Sequence, residues 1–396
     1  MNYILFDDKA WDELLPLSFT RPVAEMRVGI LTIREKWEKY LSTNFSFLTK
    51  KYLAQKYVLE IATNNILING SVLPNADLKK AIQNLKVDEC LVRGDLIIAA
   101  HLQSSEVNLV LEDEIRTKKT LEYSGDIARI FKPYDIFTIN EKQLQADFDL
   151  ITKGRKSHPI SDTVQVLGKE NIFLEDGAKV EFACLNAQDG PIYIGADAEI
   201  MEGSLVRGPL AMCEHSVLKM GAKVYGATTL GPYCKCGGEL NNVVLFGYSN
   251  KAHDGFLGNA VLGEWCNIGA DTNNSNLKNN YSDVKLWSYT SERFEPTKLQ
   301  FCGTIMGDHS KCGINTMLNT GTVIGICCNV YGAGFPRNFI PSFAMGGNHG
   351  FREYRLNAFF DVAKLVMKRR NIEFNDTERD IISHIFESTR KYRESF

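Results

Sequence analysis

The sequence predicts three parts: an α/β domain, a parallel β-helix and a C-terminal helical tail. Strand and helix patterns alternate over residues 1–155, apolar residues recur at every sixth position within 156–345, and helical periodicity follows over 346–396. Alternating strands and helices indicate a layered domain with a largely parallel sheet. A six-residue period fits neither a helix nor an alternating strand, and it is typical of a coil with three short faces.

The six-residue period places one apolar residue on the axis of each face. Small residues often follow four positions later, as at Ala198 and Ser204, and the period slips near Asn241 and Asn242. Stacked coils would bury these residues as a continuous ladder. The alternative is a β-sandwich with accidental spacing. The residues on the period are Ile194, Ile200, Val206, Met212, Leu218, Val224, Leu230 and Cys236, then Phe256, Leu262 and Ile268, then Met306, Cys312, Leu318, Ile324 and Val330.

The elements of the first domain follow from local patterns. Buried strands are expected at residues 2–6, 66–68 and 91–98, and helices at 30–41, 52–59, 77–85 and 140–150. A basic, proline-terminated stretch at 153–159 indicates a linker before the coil. In the tail, Leu356, Phe359 and Ile381 belong to helical patterns, which we expect to fold back on the coil or on a neighbouring chain.

Composition bounds the partners and the compartment. A net charge of −3 gives no general attraction to nucleic acid or to anionic membranes. No apolar run reaches the roughly 18 residues of a membrane span, and residues 1–8 lack the features of a signal peptide. Ten cysteines without paired spacing predict reduced thiols in a cytoplasmic protein. Cys234 and Cys236 could form a metal site, but Cys236 lies on the period, which favours a place in the coil interior.

Three stretches of the first domain resemble sugar-phosphate nucleotidyltransferases or the bifunctional enzymes that contain such a domain. Residues 15–22, Leu-Pro-Leu-Ser-Phe-Thr-Arg-Pro, resemble the family's opening motif, although residues 7–12 (Asp-Asp-Lys-Ala-Trp-Asp) lack the glycines of its phosphate loop. The resemblance implies a Rossmann-like, nucleotidyltransferase-like α/β fold in which Arg21 and Arg27 meet the phosphates. The pair Gly94-Asp95 resembles the family pair whose aspartate holds Mg²⁺, and its alternative is a common turn. Asp135, in Lys-Pro-Tyr-Asp-Ile-Phe, resembles the end of this domain in archaeal bifunctional enzymes, where it would bind metal or sugar, or orient the last turn.

The coil carries a more specific resemblance. Residues 239–258, with Lys-Ala-His253-Asp-Gly-Phe-Leu-Gly, and residues 267–278, with Asn-Ile-Gly-Ala-Asp-Thr, resemble the acetyltransferase half of bifunctional enzymes that make UDP-N-acetylglucosamine. The resemblance implies a left-handed parallel β-helix, a homotrimer and acetyl-CoA as co-substrate. It makes His253 the general base, because the attacking ammonium must lose a proton near neutral pH. The other implied contacts are Glu239, Asn267 and Asn276 with the sugar, Lys223, Lys278 and Lys285 with phosphates, and Ala270 with the coenzyme.

Several family positions differ in this chain. Ala252 replaces a glycine, Phe256 a tyrosine, Asp271 a glycine, and Asn241 and Ser282 replace lysines. The lost lysines weaken the case for glucosamine 1-phosphate more than the case for some acyl acceptor. Residues 335–343 are either a lid or coenzyme wall, or the cap that closes the open end of the coil.

The sequence therefore predicts a bifunctional transferase that acetylates glucosamine 1-phosphate and couples the product to UTP with Mg²⁺. One alternative is a nucleotidyltransferase with another nucleotide, such as dTTP with glucose 1-phosphate. The other is a trimeric binding protein of sugar nucleotide or coenzyme A whose catalytic sites have decayed.

Overall fold

The computed structural model describes residues 1–110, 115 and 117–394, and these form two compact units. The first consists of Met1–Leu14, Thr20–Met26 and Leu31–Lys132. The second consists of Leu15–Phe19, Arg27–Ile30 and the chain from Pro133 onward. The predicted domain boundaries at 155 and 345 remain a prediction.

The first unit is a six-stranded sheet with helices. Only Leu96–Gln103 runs antiparallel to its two neighbours, so the other five strands share one direction and their carboxyl ends share one edge. This arrangement confirms the predicted α/β layer. The strand order across the sheet is Ser46–Leu48, Asn2–Phe6, Asn64–Asn69, Leu96–Gln103, Glu89–Arg93 and Lys119–Glu122, with a separate pair of Val72–Leu73 and Ala128–Arg129. The helices are Ala10–Glu13, Ile33–Leu41, Ala76–Gln83 and Ser104–Val110.

Two predicted elements of this unit are wrong. The single strand over 91–98 is two antiparallel strands, Glu89–Arg93 and Leu96–Gln103, which turn at Gly94 and Asp95 with Gly94 at φ 56°. The helix over 52–59 is only a 3-10 turn at Lys51–Leu53. Within 52–59 Leu53 alone is buried, and a short helix without an apolar face to pack has little to stabilise it.

The second unit is a parallel β-helix with three faces. Successive coils pair in parallel on every face, which rules out the β-sandwich alternative and confirms the predicted coil. Face 1 consists of Gln165–Leu167, Cys184–Asn186, Leu205–Arg207, Lys223–Tyr225, the starts of Glu239–Gly247 and Phe256–Glu264, Asn273–Asn274 and Met317–Leu318. Face 2 consists of Ile172–Leu174, Ile192–Ile194, Leu210–Met212, Thr228–Leu230, the ends of the same two long strands, Ile305–Met306, Val323–Ile324 and Phe339–Ile340. Face 3 consists of Lys179–Val180, Glu199–Ile200, Val217–Leu218, Lys235–Cys236, Asn250–Lys251, Asn267–Ile268, Lys311–Cys312, Asn329–Val330 and Ala344–Gly347, with Gly350–Glu353 antiparallel at its end.

The predicted axis residues are buried, with one exception. Every residue of the first series, from Ile194 to Cys236, is at most 4% exposed. The prediction that Phe256 faces the axis is wrong, because Leu257 faces it instead. The spacing between axis residues shortens to five from Leu240 to Leu245, next to Asn242 at φ 55°, and again from Leu257 to Leu262.

The tail folds back on the coil, as one of the two predicted options has it. Its helices are Leu356–Lys368 and Asp376–Ser388, preceded in this unit by Asp135–Thr138 and Asn140–Thr152. Phe343, at the end of the last coil, packs edge-on against the rings of Phe359 and Phe386 at 6.1 and 4.9 Å. Within the described ranges, no helix combines the length and the apolar character needed to cross a bilayer.

Candidate functional site

The corner between face 3 and face 1 has a notch. Most strands of face 3 pass to face 1 through a short corner segment, and this segment has four residues at 201–204, 219–222, 252–255, 269–272 and 313–316. Between Cys236 and Glu239 it has only Gly237 and Gly238. A Cβ at Gly237 would lie 2.7 Å from the carbonyl oxygen of Ala252. The shortened glycine corner therefore lies directly against the next coil's segment, 252–255, and has two residues fewer than the four-residue corners beside it; the notch is this recess in the corner.

His253 lies on that next segment, beside the notch. Its side chain is exposed, and the register of the flanking strands aligns it with Ala270 and then Ile314 on the following coils. Within the described part of the chain, the imidazole has no hydrogen-bond or ion-pair partner. Both ring nitrogens are therefore available to a ligand, as a general base requires.

Lys223 and Glu239 lie on face 1, where the notch opens. Register places Lys223, Glu239 and Phe256 on three successive strands. The Tyr225 hydroxyl donates to a Glu239 carboxylate oxygen at 2.6 Å, and this hydrogen bond raises the pKa of Tyr225 to about 12. Lys223, Tyr225 and Glu239 line one end of a groove of about 750 Å³, which continues over Leu205 and Leu167. The groove thus has a polar end at the notch and an apolar floor away from it.

Lys278 and Lys285 share a different pocket. A hairpin of Lys285–Ser288 and Arg293–Pro296 is inserted between two coils, and it borders a pocket of about 640 Å³. Arg337 adds a third cation, while Trp287 and Phe339 stack at 4.3 Å in its wall. Three cations around aromatic rings suit a phosphorylated ligand. Within 335–343, Arg337 and Phe339 form part of the wall of this pocket, while Ile340 and Phe343 are buried at the end of the coil. A lid or coenzyme wall in this stretch stays a prediction.

The predicted sugar contacts lie on two faces. The Asn276 amide donates to Asn259 at 2.8 Å and lies beside Gly258 on face 1. Asn267 is exposed on face 3, between Asn250 and Lys311. The structure therefore brings Asn276 to the face that carries Glu239 and leaves Asn267 on the other side of the corner.

Arg21 and Arg27 are buried rather than presented to solvent. Arg21 is 4% exposed, and its guanidinium donates to the Thr20 hydroxyl at 3.3 Å. Arg27 is 8% exposed, and its guanidinium donates to the carbonyl oxygen of Ile30 and to the Cys213 sulfur, the latter at 3.6 Å. These contacts give Arg27 a structural role in the second unit. The contacts of Arg21 and Arg27 with phosphate stay a prediction.

Asp95 lies where the carboxyl ends of the parallel strands meet, in the exposed turn after Glu89–Arg93. Its nearest acidic neighbour in the sheet, Glu122, already accepts from the Gly94 amide at 3.0 Å. Asp135 begins the helix Asp135–Thr138 in the second unit. Across the described residues, no group of three His, Cys, Asp or Glu side chains could hold a metal ion, and Cys234 and Cys236 are buried in the coil interior.

Sequence reasoning missed Asp7 and Asp8 at the same edge. Asp8 accepts from Arg129 at 2.6 Å and from Asn69 at 3.0 Å. Burial raises the pKa of Asp7 to about 7, and Asp7 accepts from the Thr49 hydroxyl and the Val23 amide at 2.5 and 2.9 Å. Two aspartates directly after a buried strand are a signal that the sequence contained. The phosphate loop of the family is thus replaced by carboxylates that bind other parts of the protein.

Comparison with known proteins identifies the class of the first domain. Residues 3–156 match the family model described as sugar nucleotidyl transferase. This match and the mostly parallel sheet define a sugar nucleotidyltransferase-type domain, and they confirm the resemblance drawn from residues 15–22.

Relatives that span both domains are bifunctional. The chain is 26% identical to a bifunctional sugar-1-phosphate nucleotidylyltransferase/acetyltransferase of Sulfurisphaera tokodaii, over 69% of this chain and 59% of the relative. It is 26% identical to the bifunctional protein GlmU of Methanocaldococcus jannaschii, over 66% of this chain and 55% of the relative. The predicted family resemblance is thereby confirmed. The chain spans little more than half the length of these relatives.

Solved structures with some likeness include UDP-N-acetylglucosamine acyltransferases. The enzyme from Campylobacter jejuni is 17% identical with a TM-score of 0.26, covering 60% of this chain and 83% of that one. The enzyme from Bacteroides fragilis is 13% identical with a TM-score of 0.26, covering 59% and 84%.

Proposed function

We propose that the protein is a bifunctional enzyme of sugar-nucleotide synthesis. The β-helix transfers acetyl from acetyl-CoA to the amino group of glucosamine 1-phosphate, and the first domain couples the product to UTP, giving UDP-N-acetylglucosamine and pyrophosphate. The observation that carries the proposal is the imidazole of His253, which is exposed beside the glycine notch and has no hydrogen-bond or ion-pair partner among the residues that the structure describes. The family match of the first domain supports the second activity.

The acyl transfer needs one base and one place for negative charge. His253 takes the proton that the substrate ammonium releases, and the free amine attacks the thioester carbonyl carbon. Formation of the C–N bond gives a tetrahedral intermediate that carries an oxyanion. Backbone N–H groups of the corner can stabilise this oxyanion. The C–S bond then breaks, the departing thiolate takes a proton from the imidazolium, and the nitrogen of the new amide releases its remaining extra proton to solvent. His253 thus acts first as a base and then as an acid.

The cations suit two phosphorylated substrates. One cation, Lys223, lies at the notch end of the groove, next to Glu239. The other three, Lys278, Lys285 and Arg337, lie in the hairpin pocket. We assign sugar and coenzyme phosphates to these two places because each substrate needs its own charge partner. Asn276 on face 1 is the amide available for sugar hydroxyls, and Ala270, next to His253 along the corner, leaves space for the coenzyme.

A homotrimer fits the exposed apolar side chains of the coil. Leu205 on face 1 and Met220 and Ile314 on its corner are 53%, 69% and 70% exposed. Exposed large apolar side chains of this kind are removed from water when copies of the chain pack together. The resemblance to trimeric hexapeptide acyltransferases makes two further copies of this chain the partners, and a cytoplasmic location remains the expectation from the cysteines.

Nucleotidyl transfer would take place at the edge that carries Asp95. Mg²⁺ bound to nucleotide phosphates needs only one or two protein carboxylates. Asp95 is exposed and fits as one such ligand, where the ion would neutralise phosphate charge. The buried Arg21 and Arg27 specifically favour the alternative in which this domain binds a sugar nucleotide without turnover.

The test mixes the protein with glucosamine 1-phosphate, acetyl-CoA, UTP and Mg²⁺, and measures free thiol and pyrophosphate. His253→Ala should lower thiol release by about 10²- to 10⁴-fold, while pyrophosphate release from supplied N-acetylglucosamine 1-phosphate stays unchanged. His349→Ala, at an exposed histidine in the hairpin after the last coil, is the matched control. Absence of thiol release by the unmodified protein would remove the acetyltransferase.

The nucleotide is tested in the same assay. UTP should release pyrophosphate faster than dTTP with glucose 1-phosphate; the reverse order would identify the thymidylyl alternative. No pyrophosphate with any nucleotide, together with calorimetric binding of the sugar nucleotide, would establish the binding alternative for the first domain.

A further inference from the structure

Lys251 occupies a position in the coil that an apolar residue normally fills. On face 3 it lies in the axis-facing column, with Cys236 on one side and Ile268 on the other. It is 1% exposed. The other side chains of this column are those of Val180, Ile200, Leu218, Cys312 and Val330, and the column ends at Gly346. An ammonium group in such a column costs free energy that a methionine or leucine would not.

The ammonium of Lys251 reaches from the axis to the notch. Its Nζ donates to the carbonyl oxygen of His253. A Cβ on Gly238 would lie 2.9 Å from this Nζ, so the glycine leaves the space that the ammonium fills. The cation therefore joins the backbone of the 252–255 segment to the floor of the notch.

The charged groups around this ammonium come from three coils. Asp254 lies on the same segment, Asp271 on the next coil and Lys223 on face 1, and the Cys236 thiol lies in the same column. Burial lowers the pKa of Lys251, while Cys236, Asp254 and Asp271 oppose that effect. Two nearby carboxylates favour the charged form of a side chain whose hydrogen bond to a carbonyl oxygen requires a donor.

We propose that Lys251 is a positioning residue, which fixes the backbone of the 252–255 segment so that the His253 imidazole is held beside the notch. The inference rests on the proposed acyl transfer and adds to it the group that orients the base. A buried polar residue that breaks the pattern of its column is expected where function has outweighed stability.

The test is the variant Lys251→Met, which removes the N–H donor and keeps a long side chain packed in the coil interior. We expect kcat for thiol release to fall about a hundredfold, since misplacing a catalytic group by about 1 Å has that effect. KM for both substrates should stay unchanged, and the thermal midpoint should be equal or higher, because a buried charge is gone. Lys251→Gln, which restores an N–H donor, should recover part of the lost kcat.

A double-variant cycle separates this role from a general structural one. If Lys251 acts through His253, Lys251→Met should have no further effect in a His253→Ala background. Lys311→Met is the matched control, since Lys311 lies on the same face and donates to the carbonyl oxygen of another histidine, His309, at 3.2 Å. That variant should keep its kcat.

Three outcomes would overturn the inference: full activity of Lys251→Met, a loss of kcat that adds to that of His253→Ala, or a change in KM alone. The two proposals fail separately. A fully active His253→Ala would remove the acyl-transfer mechanism itself. An inactive His253→Ala with a fully active Lys251→Met would remove only the role of Lys251.

Discussion

Asp7 and His253 show how strongly the surroundings of a single side chain decide its use. His253 is exposed on a corner segment and meets the notch, whereas Asp7 follows a buried strand and accepts from Thr49 and Val23. Burial raises the pKa of Asp7 to about 7. Asp7 stands where a family member would have its phosphate loop. Its carboxyl group nevertheless contributes to the packing of the first unit.

Asp7→Asn should change how stability depends on pH. The folded chain keeps the Asp7 proton up to about pH 7, whereas the unfolded chain releases it near pH 4, so the carboxyl group favours folding below pH 4 and loses this contribution as pH rises to 7. Relative to the unmodified protein, the variant should therefore gain roughly 2 kcal/mol in the free energy of unfolding between pH 4 and pH 8. Urea unfolding followed by tryptophan fluorescence measures it.

The matched control is Asp176→Asn, at a side chain that is 94% exposed. It should change stability by no more than about 0.5 kcal/mol at either pH. An equal effect of Asp7→Asn at pH 4 and pH 8 would contradict the assignment of Asp7 as a buried carboxyl group.

At the scale of elements, each short strand of the coil points one residue at the axis and its neighbours outward. Val224 on face 1 is 2% exposed, while Val217 on face 3 of the same stretch points outward. The six-residue period predicted this direction for most strands. It failed at Phe256 because the spacing between axis residues falls to five from Leu257 to Leu262, and a period drawn at six cannot show such a step.

Val224→Ala and Val217→Ala remove the same atoms from opposite sides of the coil wall. We expect the axis variant to lower the free energy of unfolding by roughly 2 kcal/mol, from lost burial and a residual cavity. The outward variant should change it by about 0.5 kcal/mol. Thermal unfolding of both compares them directly, and equal losses would contradict the inward direction of Val224.

At the scale of the whole molecule, several large apolar side chains are exposed on the coil. Met220 and Ile314 are more than two-thirds exposed and lie along the same corner, and Leu205 adds to them on face 1. Burying them between copies of the chain removes apolar area from water. The proposed trimer would bury this corner together with Leu205, which also lines the groove of face 1.

The double variant Met220→Lys/Ile314→Lys should shift the protein from trimer toward monomer, because a lysine pair would have to be desolvated in the interface. Light scattering over a concentration series measures the mass. Leu365→Lys, on a tail helix at a residue 67% exposed, is the matched control and should leave the mass unchanged. A monomeric unmodified protein would contradict the trimer.

The sequence by itself determined the coil and the α/β layer, and it identified His253 as the candidate base. Periodicity and local chemistry are properties of neighbouring residues, so an apolar residue at every sixth position or a histidine within a motif can be recognised without coordinates. Only the tertiary structure decided that Arg21 and Arg27 are buried, that Arg337 joins Lys278 and Lys285, and that Lys251 crosses the coil interior to the notch. These placements depend on the pairing register between coils and on the number of residues in each corner segment. The two-residue glycine corner at 237–238 changes both. Interactions between residues far apart in the chain set such features, and no single stretch of sequence carries them.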